Sequence, residues 1–441
     1  MDFQKLERIC REKGISEVEI YHIQSDGSEV STFNGNADQN TVYSKNEMFV
    51  RGVYGGHIVS LYVEKDTDDE LEKIADRIKA NAGVIESTDP YFIYGGSKEY
   101  PVLPEETHDY DKYTQADKLA LCRKMEAFVK SKSEFVSDTE AGVEVESETV
   151  TIENSNGLSV SRKDVGAVAY CAGVIKKDGD VKQGYYVDYL QNLSDVNYDD
   201  LTKFAVERPL SSIGAASMAS GNYPVVFENK MFSSLLSCFL SMFSADAVIK
   251  KLSLLGDKLG QKVFGDNITL TDEPMRAESN HKVSFDDEGV AAFSKVIVEN
   301  GVLKTFLHNL RTAKMLNAEP TGNGFKEGSG DIGVRPTNLC LTGGSHDFDT
   351  MISGIQDGVF ITQMMGQHAG VNAVSGAFNL QSSGYRIRDG KIAEPVTLIV
   401  VSGNIVDVLK NVSDVSTDFK VSGRIGCGSV LVSGLNISGK N

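Results

Sequence analysis

No two cysteines of this chain stand in a C-x-x-C pair, and its seven histidines stand alone, the nearest two being His346 and His368. Cys10, Cys122, Cys171, Cys238, Cys340 and Cys427 are scattered along the whole length. That scatter excludes a local disulfide framework and a short-range zinc motif, and it reads as buried, reduced thiols. Proline is scarce, at 9 in 441 residues, while 41% of the side chains are apolar. A disordered composition is thereby excluded, and two or three packed domains are within reach. Basic residues are the minority, 44 against 62 acidic ones, for a net charge of −18 and a pI near 4.9. Such a balance repels phosphate backbones, so direct nucleic-acid binding is not expected. The stretch MDFQKLERICREKG reads as a charged amphipathic helix rather than a secretory signal, and a cytoplasmic location is expected. The one segment near membrane-spanning length, Met231–Ile249, holds five serines and Asp246 and reads as a core helix.

What is present is punctuated by turns. Phe3, Leu6, Ile9 and Cys10 fall at helical spacing, and Gly14 stops that helix. Short strands are expected at Val18–His22, Glu29–Phe33, Glu47–Val53 and Ile58–Val63, joined by Asn34-Gly35-Asn36 and Gly55-Gly56. Thr67 to Glu70 has the form of a capping box, opening a helix with Leu71, Ile74, Ala75 and Ile78 inward. The Tyr94–Asp109 stretch, with Pro101, Pro104, Glu105 and Glu106, reads as a linker. Beyond it, Thr114 caps a helix carrying Leu121, Met125 and Phe128, and strands follow at Val143–Val145, Thr149–Ile152, Leu158–Ser161, Gly166–Val174 and Gly184–Leu190. The remainder has one long helix and many strands, among them Lys282–Ser284, Ser294–Glu299, Thr305–His308, Gly358–Thr362, Tyr385–Arg388 and Val396–Ser402.

Catalytic chemistry is faint in these residues. No serine sits in G-x-S-x-G, so no hydrolase elbow is signalled. Cys238 lies mid-helix, away from any helix N-terminus that would lower its pKa, and reads as a packed apolar group. A metal site gathered from distant residues, for instance His281, His308, His368 and Cys427, competes with the plainer reading that lone histidines are satisfied polar groups. The glycine-rich Thr321–Gly333 run lacks the Gly-Lys-Ser/Thr ending of a phosphate cradle. It reads as a loop, and Thr321, Gly322, Asn323 and Gly324 are its candidate contacts to a peptide or a partner subunit. The pairs Asp286-Asp287 and Asp199-Asp200 read as solvated turns.

A larger pattern lies in the order of features from Asn222 to Pro274: an apolar helix over Lys230–Lys250, then Ser253-Leu-Leu-Gly-Asp-Lys-Leu-Gly260, then Asp272-Glu-Pro274. It resembles the third domain of the TldD/PmbA family, the "modulator of DNA gyrase" peptidases. Phe49-Val-Arg-Gly-Val-Tyr-Gly-Gly56, Asn154-Ser-Asn-Gly-Leu158, Asp286-Asp-Glu-Gly289, Pro336-Thr-Asn338 and Ser375-Gly-Ala-Phe378 follow in the family's order. The resemblance implies an α+β fold, with N-terminal α/β units built on hairpin sheets followed by a large mostly β C-terminal domain. The expected units are 1–95, 105–215 and 222–441.

In that family one subunit carries His-Glu-x-x-x-His on this helix. Counted back from Ser253 and Gly260, the two histidine positions fall on Leu236 and Ser241, and the glutamate on Ser237. The family's cysteine ligand falls near Ser413 or Asp414, and Cys427 stands some thirteen residues further on. The resemblance therefore implies a PmbA (TldE) type of subunit, with no catalytic residue, metal or other cofactor of its own. Its partners would be a zinc-bearing TldD-like subunit and an extended or unfolded peptide, with homodimer formation left open when it is alone. Five-residue spacing sets two histidines about 140° apart on a regular helix, so a zinc-bearing subunit must distort it. Here a regular helix is expected. Two other readings stay open: a free-standing hydrolase with its active site moved, perhaps to Cys427, His308 or His368, and a non-catalytic peptide-binding module.

Overall fold

Alternation of inward apolar and outward polar side chains runs much further along the first half of the chain than the short strands expected there. The computed structural model describes residues 2–64, 67–86, 92–104, 107–327 and 331–440. Within them, β1 (Glu17–Phe33), β2 (Asn36–Tyr54) and β3 (His57–Val63) form one meander, and β4 (Val136–Asn154), β5 (Ser159–Lys177) and β6 (Asp180–Leu190) another. The expected fragments are continuous because long antiparallel ladders pair every backbone group. β1 faces β2 from Glu17 opposite Val53 to Phe33 opposite Asn36. Asn34-Gly35 and Asp178-Gly179, all at positive φ, close the tight hairpins that fix this register.

β1 also pairs with β4, so the two meanders share one six-stranded sheet in the order β3-β2-β1-β4-β5-β6. One face is covered by helices. α1 (Phe3–Glu12) and α2 (Asp68–Ala82) pack Leu6, Ile74 and Ile78 on Val18, Ile20 and Val50, and α3 (Gln115–Lys132) packs Met125 and Val129 on Val30, Val143 and Ala169. Thr114 makes the expected cap with Asp117, whereas the Thr67 side chain makes no cap bond. Glu105 and Glu106 of the expected linker lie outside the described residues. Its earlier part is pinned, with the Tyr100 hydroxyl donating to the Gly289 carbonyl at 2.8 Å and Ser97 Oγ accepting the Ala291 amide at 3.0 Å.

In the C-terminal half, Gly221–Phe227, Val430–Ser438, Lys391–Asn404, Ala377–Arg388 and Asp357–Met365 pair in a ring, the last closing on the first. Closure leaves this barrel without a free edge. A second, six-stranded sheet lies beside it, and Phe227, Phe232, Leu236, Phe243, Val401 and Val432 belong to the large core they share. The fold is α+β as expected. Lys282–Ser284 and Thr305–His308 are not strands; the latter contributes only a bridge from Leu307 to Ser244. No described helix is long and apolar enough to cross a membrane.

The Lys230–Lys250 helix is broken, against expectation. Its pieces are a helix at Asn229–Ser237, a 3₁₀ turn at Leu240–Phe243 and a short helix at Ala245–Ile249. Ser237 Oγ and Cys238 Sγ both donate to the Ser234 carbonyl, at 2.7 and 3.3 Å, and the Cys238 amide turns to Leu235 instead. Small hydroxyl and thiol side chains thus compete for the helical ladder. Just beyond, Leu307 exchanges backbone bonds with Phe243 and Ala245, which draws Ser244 into extended conformation.

Candidate functional site

Side chains on the broken helix divide by face. Phe232, Leu235, Leu236 and Phe239 recur at helical spacing and are fully buried, whereas Ser237 and Ser241 point to solvent. Zinc is held by imidazole, thiolate or carboxylate, usually four donors in a tetrahedron. From Leu236 to Met242 the chain offers an aliphatic group, hydroxyls, a thioether and the Cys238 thiol, which burial raises above its ordinary pKa. The residues here do not fit the ion.

Asp414 binds His346 Nδ1 at 2.8 Å and Ser413 Oγ donates to the Leu431 carbonyl. It is Cys427 whose Sγ packs on the Asn229–Ser237 helix, 3.3 Å from Ser233 Oγ and 3.4 Å from the Asn229 carbonyl. Burial pushes this thiol up to about 12, so it stays protonated. His281, His308, His368 and Cys427 are not gathered, and among the described residues no three His, Cys, Asp or Glu side chains are placed to hold a metal.

Charge is concentrated instead where the uncovered sheet face meets the C-terminal half. Asp286 and Asp287, expected in a solvated turn, are buried along with Glu288. Their counter-charges come from the sheet. Arg51 donates to Glu19 Oε1 across β1 and β2 at 2.8 and 2.6 Å, and lies 3.9 Å from Glu288 Oε1. Arg162 on β5 and the Tyr21 hydroxyl each donate to Asp287 Oδ1 at 2.8 Å. Burial works to raise Asp287, but Arg162, the Lys326 amide and Tyr21 together hold it below the ordinary carboxylate value. Asp286 accepts the amides of Glu288, Val290 and Gly324; burial and the Glu288 charge nonetheless push it up.

Thr321, Gly322, Asn323 and Gly324 are all buried and frame this network. Gly324–Lys326 forms a hairpin with Ile332–Val334 rather than a loop, while residues 328–330 lie outside the described residues. Thr321 Oγ1 bonds the backbone of His308, and Asn323 donates to Asp272 Oδ2 at 2.7 Å. Gly322 sits at φ +67°, and an added Cβ would stand 2.7 Å from the Ala291 carbonyl oxygen. Left-handed strain and that contact together predict that Gly322→Ala lowers stability by about 1–3 kcal/mol, read as a lower urea midpoint at unchanged m.

Beside the network a cavity of about 560 Å³ opens between the sheet and the C-terminal half. Its sheet wall carries Glu144, Glu146 and Glu148 at alternate positions of β4; burial raises Glu144 and Glu148. The opposite wall carries Lys326, Arg335, Arg424 and His281. Arg335 lies 4.1 Å over the Phe325 ring and Lys326 Nζ 4.6 Å over both Tyr21 and Phe49. Burial, then repulsion from Arg424, lowers Arg335 to about 10, and burial with neighbouring Arg51 lowers Lys326 to about 8.

Arg51, Lys326, Arg335 and Arg424 belong to no catalytic or binding motif of the sequence, whereas His281 stands among its candidate metal ligands. The available signal was a lone charge inside an apolar strand pattern, as at Phe49-Val-Arg-Gly-Val53.

His281 is lowered to about 4 by burial, then by Arg424 and Arg335. The unfolded imidazole takes its proton near 6.5, so between about 4 and 6.5 the unfolded chain holds the extra proton and acid favours unfolding. His281→Gln should flatten the fall in unfolding free energy across that window, by at most about 1.4 kcal/mol per pH unit, in denaturation curves taken along a pH series.

Family profiles match two stretches: the PmbA/TldA metallopeptidase central domain over residues 108–213 and the C-terminal domain over residues 220–439. A metalloprotease PmbA homolog of Buchnera aphidicola is 26% identical over 287 residues, covering 65% of this chain and 62% of its own length. A Thermotoga maritima crystal structure, named for modulation of a DNA gyrase, superposes with a TM-score of 0.91 at 30% identity over 99% of both chains. The structure of TldE from Thermococcus kodakarensis shares the fold, at TM-score 0.88 and 22% identity over 98% of this chain and 100% of that one.

Proposed function

We propose, from the premise that this chain belongs to the PmbA/TldD metallopeptidase family, that it serves as the metal-free subunit of a two-subunit zinc peptidase. Its part is assembly with a zinc-bearing homologue and enclosure of an extended peptide, in the cytoplasm. The observation that carries this reading is the donor set on the broken helix: Leu236 in the core, flanked by exposed Ser237 and Ser241. Nothing there can polarise a water or a scissile carbonyl. The fold shared with the protein named TldE supports the same reading. An extended segment can add to a strand edge and present its amide to the partner's metal.

The test pairs metal analysis with a peptidase assay on this chain alone, on a zinc-bearing homologue alone, and on the two mixed. Metal below one equivalent per chain, no turnover alone, and turnover with co-elution on mixing are expected. Stoichiometric zinc in the isolated chain, or peptide cleavage by it that survives chelation, would sink the proposal.

A further inference from the structure

Two guanidinium groups, those of Arg335 and Arg424, stand on one wall of the 560 Å³ cavity without an ion-pair contact of their own. Arg335 Nη1 is shielded from solvent and has no hydrogen-bond partner, and Lys326 Nζ nearby is in the same condition. Among the described residues no carboxylate reaches ion-pair distance of Arg335, Arg424 or Lys326. Asp287, the acid nearest in charge to all three, is already taken by Arg162 and Tyr21. A protein interior seldom keeps unpaired, partly buried cations, because their desolvation is not compensated. Their fork geometry matches a carboxylate, and the Phe325 ring beneath Arg335 holds one guanidinium plane in place.

The facing wall selects among anions. Glu144, Glu146 and Glu148 would repel a polyphosphate or nucleic acid, as would the overall charge of −18. A ligand with one carboxylate and neutral or basic groups around it suits both walls, and the volume lies in the range of small-ligand sites. We propose that this cavity is a carboxylate site for peptide, in which Arg335 and Arg424 hold either a C-terminal carboxylate or an acidic side chain of the enclosed segment. The inference rests on the peptide-enclosure reading and adds the chemical feature that the enclosed segment carries.

The experiment measures binding of an acetylated Gly-Ser-Ala-Gly-Ala peptide as its free acid, as its C-terminal amide, and as the amide with glutamate in place of serine. Each is titrated into the isolated chain and into its mixture with the zinc-bearing homologue. One of the two carboxylate peptides should bind at least about tenfold tighter than the plain amide, and which of them does so identifies the source of the carboxylate. That preference should vanish in the Arg335→Gln/Arg424→Gln double variant. Should the double variant fail to fold, Arg424→Gln alone carries the test, with the preference falling at least about threefold. Equal binding of all three peptides, or a preference that persists in the variants, overturns the carboxylate site and leaves peptide enclosure standing. Failure of all three to bind both the chain and the mixture removes the enclosure reading as well.

Discussion

Replacing Arg51 by methionine lowers the unfolding free energy by about 3–5 kcal/mol, as expected when one member of a buried ionic cluster is removed. Arg51 is 7% exposed and its partners Glu19 and Glu288 are 0% and 4% exposed, so neither carboxylate can turn to water for compensation. Asn154 Nδ2 would remain on Glu19 at 3.2 Å and the Leu310 amide on Glu288 at 2.7 Å, too few donors to carry two buried charges. The deficit should shrink on acidification, because burial already raises Glu288 and, without the lowering charge of Arg51, it holds a proton in the folded state more readily than in the unfolded one. Glu19→Gln added to Arg51→Met should recover part of the loss. Urea denaturation at neutral and acidic pH reads all of this, and a single variant within about 1 kcal/mol of the parent would show that the cluster does not join the sheet to the C-terminal half.

A histidine placed at Leu236, where the proposed function sets a ligand of the zinc-bearing subunit, should fail to bind the ion. Leu236→His removes a fully buried aliphatic side chain from the largest core, a change of the kind that costs about 2–5 kcal/mol, and buries an imidazole with no partner for a further ~1–3 kcal/mol. The variant should therefore melt well below the parent. Zinc should not restore it, since neither Ser237, Ser241 nor the protonated Cys427 can complete a coordination shell. Thermal melts with and without the ion decide the matter. A zinc-dependent rise in Tm for Leu236→His would reveal a latent site and weaken the metal-free assignment.

Much of this could be read without coordinates. Strand and helix periodicity, the Asn-Gly and Gly-Gly turns, the α+β order and the family itself lie in short-range patterns, and so does the absence of histidine from the Lys230–Lys250 stretch. What was misread shares one cause. Asp286-Asp287 looks like a solvated turn until Arg162 and Tyr21 arrive from another part of the chain. Thr321 to Gly324 looks like an open loop until His308 and Asp272 take up its polar groups. The long apolar helix breaks a second time, at Ser244, because Leu307 pairs with the backbone on either side of it.

Residue identity by itself determined the absence of a short-range metal motif and of a G-x-S-x-G elbow, an acidic charge balance and enough apolar side chains for a large core. Tertiary structure decided where charge can be buried and whether it is matched, because the field at a side chain is set by its neighbours in space. It therefore alone distinguished the neutralised Asp287 from the unpartnered Arg335 and Arg424.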